Sequence, residues 1–234
     1  MSGLIESATA ILSTSESRLE IIARNVTNIS TSGFKRQIGF HHFIDSAKDG
    51  LVQQISTRRD LAQGKLSASA NPLDIAISGD GFFQLRAGDN LVYSRQGQFN
   101  RMADGSVVNS QGYVLQQAGG GDLIIDSNDI SVLEDGTVLS NGVPVARLSA
   151  YAATDATALS PVGDSAFTMP EDTLDIVPDA VFRQGMIENS NVDLGEEMVA
   201  MMATLRQSEG GSRLVQVYDD LLGRALSTLG QSGK

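Results

Sequence analysis

Residues 4–29 read LIESATAILSTSESRLEIIARNVTNI, and eight small or apolar side chains recur there at alternating steps of four and three. This spacing places them along one side of an α-helix, which would be roughly 40 Å long at about 1.5 Å per residue. A helix of that length with so narrow an apolar side needs a partner helix. The eight residues are Leu4, Ala8, Ile11, Ser15, Leu19, Ile22, Val26 and Ile29.

The expected partner lies near the other end of the chain, where apolar residues follow a similar spacing. The spacing breaks once, between Leu205 and Leu214. The apolar residues are Met198, Met202, Leu205, Leu214, Val217, Leu221 and Leu229. We therefore expect two terminal helices that pair with each other or with those of neighbouring copies.

The second helix should begin after Asp193 and run from about Leu194 to Leu229. Asp193 is a favourable N-cap, and Glu196 follows three residues later, as in a capping box. Gly210 and Gly211 lie inside the predicted helix, and each costs roughly 1 kcal/mol relative to Ala. The helix either bends at these glycines or is held straight by its partners.

The middle of the chain is typical of β-structure. Hairpin turns are predicted at Asp104-Gly105, Asp135-Gly136 and Asn141-Gly142, and turn signals recur about every 8–12 residues through 73–150. Residues 34–72 have no sustained period, so they are predicted to form an extended connector with, at most, short strands.

These patterns predict an α+β fold in which long N- and C-terminal helices form a coiled-coil layer beside a central all-β domain. The predicted segments are an N-terminal helix, the connector, the β-domain and a C-terminal helix. Their bounds are 1–33, 34–72, 73–184 and 185–234.

Composition excludes several classes of protein. The net charge is −11 and no long basic cluster is present, so nucleic acid is not an expected partner. Cysteine is absent, so disulfides and thiolate chemistry are excluded. The sequence contains no stretch of about 18 apolar residues, so no membrane insertion is predicted. No cleavable signal peptide is recognised. The chain is expected to be cytoplasmic, or to be exported by a route that reads no ordinary signal.

The sequence offers no set of catalytic residues. His41 and His42 are the only histidines, and adjacent side chains point apart on a strand or helix, which disfavours a metal site. A Ser/His/Asp set is not visible, and Gly79-Asp80-Gly81 is followed by a predicted strand where a phosphate loop needs a helix. We expect no enzyme activity, no catalytic residues, no metal and no cofactor.

Two asparagines, Asn25 and Asn28, precede the predicted turn at Gly33 and allow two interpretations. Their side chains cap the fraying end of the first helix, or their amides form hydrogen bonds with a neighbouring subunit. The sequence alone leaves both open.

Three segments together resemble the flagellar rod and hook family. The first is NVTNISTSGFK at 25–35, and the second is NPLDIAISGDGFF at 71–83, continued by YSRQGQF at 93–99. The third is GMIENSNVD at 185–193, followed by Glu196-Glu197-Met198. The sequence departs from the family pattern at Thr27, at Leu194 and at Gly210-Gly211. These departures leave open whether the helices are straight, but they do not weaken the resemblance. The short middle region, with a single β-domain, is unlike the hook protein and resembles a basal-body rod protein. The short chain and its looser motifs favour the proximal-rod type over the distal-rod type.

The resemblance implies a structural subunit of the basal-body rod, which assembles with copies of itself into a hollow helical tube that transmits torque and passes exported subunits. Implied partners are the other proximal and distal rod proteins, the type III export apparatus and the basal-body rings. The implied location is the basal body in the periplasm. Two alternatives stay open: a periplasmic or surface module that binds a ligand, and a hydrolase acting on cell-wall glycan.

The predicted assembly interface combines the two helical stripes with the turn after the first helix. Its members are Leu4, Ile11, Leu19, Ile22, Asn25, Val26, Asn28, Ile29, Gly33, Phe34, Met198, Met202, Leu205, Leu214, Val217 and Leu221.

Overall fold

The computed structural model describes residues 2–46, 50–127, 129–154, 159–163 and 165–231. Within these ranges, the side chains of 2–4, 41–46, 50–54, 171, 225–226 and 228–231 are not described. The predictions that concern the side chains of Leu4, His41, His42 and Leu229 therefore lie outside the described part of the chain.

The chain divides into two compact units. Unit 1 comprises 1–27, 37–59 and 193–234, and unit 2 comprises 28–36 and 60–192. Unit 1 contains two helices, α1 (Ser2–Thr27) and α2 (Leu194–Gln231), and two strands, β1 (Gln37–Ser46) and β2 (Gly50–Arg59).

The strands β1 and β2 form an antiparallel hairpin in which Gln37 lies opposite Arg59. Sequence reasoning assigned this part of the chain to an extended connector with short strands, whereas each strand is ten residues long. Polar residues such as Gln53 and Gln54 interrupt the apolar alternation that would have marked the strands.

The two helices of unit 1 lie side by side and run antiparallel. A Cβ atom added to Gly211 would lie 3.1 Å from Cγ2 of Ile11, near the middle of both helices. Fourteen residues further along α1, Asn25 Nδ2 donates to Oε1 of Glu197 at 3.2 Å, fourteen residues earlier in α2. The first terminal helix thus finds a partner within its own chain.

The side of α2 that faces α1 is mostly small or polar. Its positions are buried or half-buried and recur at alternating steps of four and three. They are Glu197, Met201, Thr204, Ser208, Gly211, Val215 and Tyr218. We call these seven residues the seam of α2.

The predicted coiled-coil layer is wrong. Each end of the chain contributes one helix, and the described residues form no extended coiled coil. A coiled coil needs apolar side chains at the facing positions, but the seam of α2 presents Glu197, Thr204 and Gly211 to α1. The apolar residues that suggested a coiled coil, such as Met202 and Val217, are exposed.

The start of α2 is as predicted. The backbone N–H of Glu196 donates to Oδ1 of Asp193 at 3.0 Å, so Asp193 is the N-cap. The helix continues through Gly210 and Gly211 to Gln231. Gly211 is buried and sits where a side chain would meet Ile11 and Leu12, so at this position the missing side chain allows close approach of the helices.

Unit 2 is a β-structure of several sheets. Its strands are β3 (Leu66–Ala68), β4 (Ile75–Ser78), β5 (Phe82–Ala87), β6 (Asn90–Ser94), β7 (Phe99–Arg101), β8 (Val107–Asn109), β9 (Val114–Leu115), β10 (Ile130–Val132), β11 (Thr137–Ser140), β12 (Val143–Arg147), β13 (Ala150–Ala153), β14 (Ser160–Val162), β15 (Ala166–Thr168), β16 (Leu174–Val177), β17 (Val181–Gln184) and β18 (Met186–Glu188), with a 3-10 turn at Glu171–Thr173. The largest sheet has nine strands, in the order β14-β15-β6-β5-β9-β8-β7, with β13 also paired to β5 and β16 paired to β13. Three smaller sheets are β10-β11-β12, β17-β4 and β18-β3.

The three predicted hairpin turns are present between β7 and β8, β10 and β11, and β11 and β12. At the last of these, Asn141 and Gly142 adopt φ values of 50° and 76°, as a tight two-residue turn requires. The main core lies under these strands and includes Phe83 and Phe99, whose rings meet edge to face at 5.5 Å. In the described part of the chain, neither helix is long and apolar enough to cross a membrane.

The adjacent glycines of α2 provide a matched pair for testing the close helix contact. Gly210→Gln should raise the free energy of unfolding by up to about 1 kcal/mol, because Gln favours a helix and nothing lies within 4 Å. Gly211→Gln should lower the free energy of unfolding by about 1–3 kcal/mol, because the new side chain would push Ile11 and Leu12 of α1 away from α2. Urea unfolding followed by circular dichroism at 222 nm measures both, and equal stabilisation would contradict a close contact.

Candidate assembly interface

The predicted interface residues of α1 are covered to different degrees within the chain. Ile22 and Asn25 are buried, whereas Ile11, Leu19 and Val26 are half-buried. The apolar side of α1 is therefore largely occupied in a single chain.

Asn25 holds the start of the hairpin beside the two helices. Its Nδ2 donates to the backbone oxygen of Gln37 at 2.9 Å, and its Oδ1 accepts from the backbone N–H of Gln37 at 2.8 Å. The same Nδ2 also donates to Glu197. An amide side chain donates through its nitrogen and accepts through its oxygen, so Asp at this position would lose the donor. The amide of Asn25 thus works within unit 1, a role that neither sequence interpretation described.

The remaining predicted residues of the turn lie in unit 2. Asn28 is buried, and its Oδ1 accepts from Thr31 Oγ1 at 3.0 Å. Ile29 is half-buried, while Phe34 is only 1% exposed.

Gly33 is the one position in this turn where a side chain is impossible. Its φ is 70°, and an added Cβ would lie 2.4 Å from the carbonyl carbon of Arg95. Its backbone N–H donates to the backbone oxygen of Glu188 at 2.8 Å. The turn is therefore pressed directly against two other segments of unit 2.

Beside this turn lies a buried ion cluster formed by Lys35, Arg95 and Glu188. Lys35 Nζ lies 2.7 Å from Oε1 of Glu188, and Arg95 Nη1 lies 3.3 Å from Oε2. The side chains of all three are at most 2% exposed. Lys35 Nζ also donates to the backbone oxygen of Ala62, and Glu188 Oε1 accepts from the N–H of Gly64.

Burial sets the electrostatics of the cluster. It lowers the pKa of Lys35 and that of Arg95, because a desolvated cation is less stable, and the negative charge of Glu188 opposes both shifts. Glu188 is therefore the anion that makes two buried cations tolerable.

The cluster joins the three segments that carry the family resemblance. Lys35 ends the first, Arg95 lies in the continuation of the second, and Glu188 lies in the third. Sequence reasoning missed the cluster, although each residue stands out as a charged side chain within a largely uncharged motif. The parts of the three segments that belong to unit 2 thus lie together, and charge pairing is one of the contacts that hold them there.

The predicted interface residues of α2 have a different environment. All six are between 44% and 56% exposed. They are Met198, Met202, Leu205, Leu214, Val217 and Leu221. Exposed apolar side chains grouped along one helix are a common feature of surfaces that other molecules bind.

Comparison with known proteins finds two matching families of flagellar proteins. Residues 76–140 match the family described as the flagellar hook protein FlgE/F/G D1 domain, and residues 183–228 match the C-terminal region of flagellar basal body rod FlgEFG proteins. The chain is 31% identical to the flagellar basal-body rod protein FlgG of Agrobacterium fabrum, over 88% of its own length and 91% of that protein.

The chain belongs to the flagellar basal-body rod protein family. It is also 28% identical to FlgF of Rhizobium meliloti, over 93% of both chains, and 28% identical to FlgF of Caulobacter vibrioides, over 91% of its own length. The similarity to these rod proteins therefore spans both units.

The buried anion of this rod protein has an exposed counterpart that serves as a control. Glu188→Gln leaves Lys35 and Arg95 buried without a negative charge, so it should lower the free energy of unfolding by about 3–5 kcal/mol. Glu134→Gln removes the exposed partner of Arg183 and should have little effect. Urea unfolding of both variants measures the difference, and similar small losses would show that the cluster contributes little.

Proposed function

We propose that this chain is a structural, non-enzymatic subunit of the bacterial flagellar basal-body rod, where it assembles with copies of itself and with other rod proteins. Membership of the rod family supports this function. The structural observation that carries it is the exposed apolar surface of α2, which has no partner within the described part of the chain.

The energetic argument concerns the six exposed side chains of α2. Fully burying a Leu, Val or Met is worth about 1.5–3 kcal/mol, so covering the exposed half of each contributes roughly 1 kcal/mol. Six such residues provide several kcal/mol per subunit before the entropy of association is subtracted. This surface is therefore more stable when a neighbouring subunit covers it than when water covers it.

The residues predicted from sequence then divide into two roles. Met198, Met202 and Leu205, together with Leu214, Val217 and Leu221, would contact neighbouring subunits. The α1 and turn residues would hold the subunit in shape, since their contacts lie largely within the chain. This division is part of the proposal.

Two rod positions fit the family. Matches to FlgF relatives cover slightly more of both chains, which favours the proximal-rod FlgF type, as the short chain does. The higher identity to a FlgG relative makes the distal-rod FlgG type the second candidate.

Location and export belong to the same proposal. A rod subunit of this family would leave the cytoplasm through the flagellar export apparatus and assemble in the periplasm, near the basal-body rings. The lack of cysteine supports this route, because an unfolded chain without thiols cannot cross-link in an oxidising compartment.

The test replaces one exposed apolar residue of α2 with an acid. In a strain that lacks the native gene, Leu221→Asp should abolish swimming and leave the rod incomplete, because it places a charge on the assembly surface. Gln216→Asp, an exposed polar position on the same helix, should swim normally. Soft-agar motility and electron microscopy of basal bodies measure the outcome.

Two results would contradict the proposed function. One is a gene-deletion strain that builds complete rods and swims. The other is normal swimming by Leu221→Asp, with the variant chain present in purified basal bodies.

A further inference from the structure

The chain contains a single Asn-Gly pair, Asn141-Gly142, which forms the turn between β11 and β12. Both residues are exposed. Among the non-glycine residues that the structure describes, Asn141 alone has a positive φ, 50°. A Cβ atom added to Gly142 would have nothing within 4 Å, so this side of the turn is open to solvent.

Three hydrogen bonds hold Asn141 against the segment that precedes β10. The backbone N–H of Asn141 donates to the backbone oxygen of Asp129 at 3.0 Å. The hydroxyl oxygen of Ser127 accepts from the backbone N–H of Asp129 at 3.0 Å, and the hydroxyl donates to Oδ1 of Asn141 at 2.9 Å. The side-chain carbonyl group of Asn141 is therefore polarised by a donor whose own position is fixed.

We propose that Asn141 is a site of spontaneous deamidation and that the hydroxyl of Ser127 promotes the reaction. The N–H of Gly142 loses its proton to hydroxide from the solvent, and the nitrogen attacks Cγ of Asn141. The bond between Cγ and Nδ2 breaks, and the amino group leaves as ammonia with a proton from water, which regenerates hydroxide. Water then opens the cyclic imide at either carbonyl carbon and gives aspartate or isoaspartate.

Gly142 and Ser127 assist different parts of this reaction. Glycine allows close approach, because no side chain crowds its nitrogen. As that nitrogen attacks Cγ, negative charge develops on Oδ1 of Asn141, the atom that accepts from Ser127. A donor already aimed at a developing oxyanion stabilises the transition state more than it stabilises the starting amide.

The Asp-Gly turns at Asp104 and Asp135 could form the same imide, but their carboxyl groups are protected. Aspartate reacts through its neutral carboxyl form, because a carboxylate is a poor electrophile. The hydroxyl and backbone N–H of Ser106 donate to Asp104 and lower the pKa of its carboxyl group. Thr137 lowers the pKa of Asp135 in the same way. Both carboxyl groups therefore stay ionised at neutral pH, whereas the amide of Asn141 carries no charge.

Two other asparagines provide internal controls. Asn100 is exposed, but it precedes Arg101, whose side chain crowds the attacking nitrogen. Asn109 precedes the small residue Ser110 but is only 3% exposed, and its Oδ1 accepts from two backbone N–H groups. The first control tests the need for glycine, and the second tests the need for exposure.

The modification would change the tip of the hairpin and leave its strands in place. Aspartate adds a negative charge to the turn. Isoaspartate lengthens the main chain by one carbon where only two residues connect Ser140 to Val143, which lie opposite each other. The isoaspartate form should therefore loosen the tip, and because the lost ammonia is not regained, the modified fraction should grow with the age of the molecule.

Peptide mapping by mass spectrometry tests the inference on the purified full-length chain, held for several weeks in warm, mildly alkaline buffer. Asn141 should lose its amide many-fold faster than Asn100 and Asn109, and should yield both aspartate and isoaspartate. Ser127→Ala, checked for unchanged circular dichroism, should slow the loss at Asn141 several-fold, and Ser127→Thr, which keeps the hydroxyl, should restore it. In concentrated urea, where the hydrogen bond is absent, the native chain and Ser127→Ala should react equally fast.

Two results would overturn the inference. Loss of the amide at Asn141 no faster than at Asn100 would show that the turn is not a modification site. Equal or faster loss in folded Ser127→Ala would show that the hydroxyl does not promote the reaction. Neither result bears on the motility of Leu221→Asp, so this inference can fail while the rod function stands.

Discussion

The contact between α1 and α2 constrains the rest of unit 1. The helices approach closely at Gly211, and their ends are tied by the hydrogen bond from Asn25 to Glu197. Because the small and polar side of α2 is used for this contact, its large apolar side chains remain outside. The intramolecular pairing thus produces the apolar surface from which we infer assembly.

Unit 2 depends on a second constraint, the burial of Glu188 between Lys35 and Arg95. Buried charges persist only when they are paired, so the segments that carry these residues must stay together. The backbone contact of Gly33 with Glu188 adds a geometric requirement, because no side chain fits at Gly33. Charge pairing and close packing together hold Lys35, Arg95 and Glu188, which are distant in sequence, next to one another in unit 2.

Much of this architecture could be predicted from the sequence. Both terminal helices, the N-cap at Asp193 and the three Asp-Gly or Asn-Gly turns follow from local rules of propensity and spacing. The prediction of a coiled-coil layer was wrong because the spacing of apolar residues does not show which side of a helix will contact its partner. At α2 the decisive residue is Gly211, which adds no hydrophobicity. The ion cluster escaped prediction because a charged residue is normally assigned to the surface, and only tertiary structure brings Lys35 to Glu188.

The central claim is that α2 exposes apolar surface in the free chain and loses it in the rod. Oxidation of methionines by hydrogen peroxide, measured by mass spectrometry, tests this with native residues. In the purified chain Met198 and Met202 should oxidise faster than the half-buried Met201, and in purified basal bodies they should be protected to the level of Met201. Equal oxidation of Met198 and Met202 in the two samples would contradict the account.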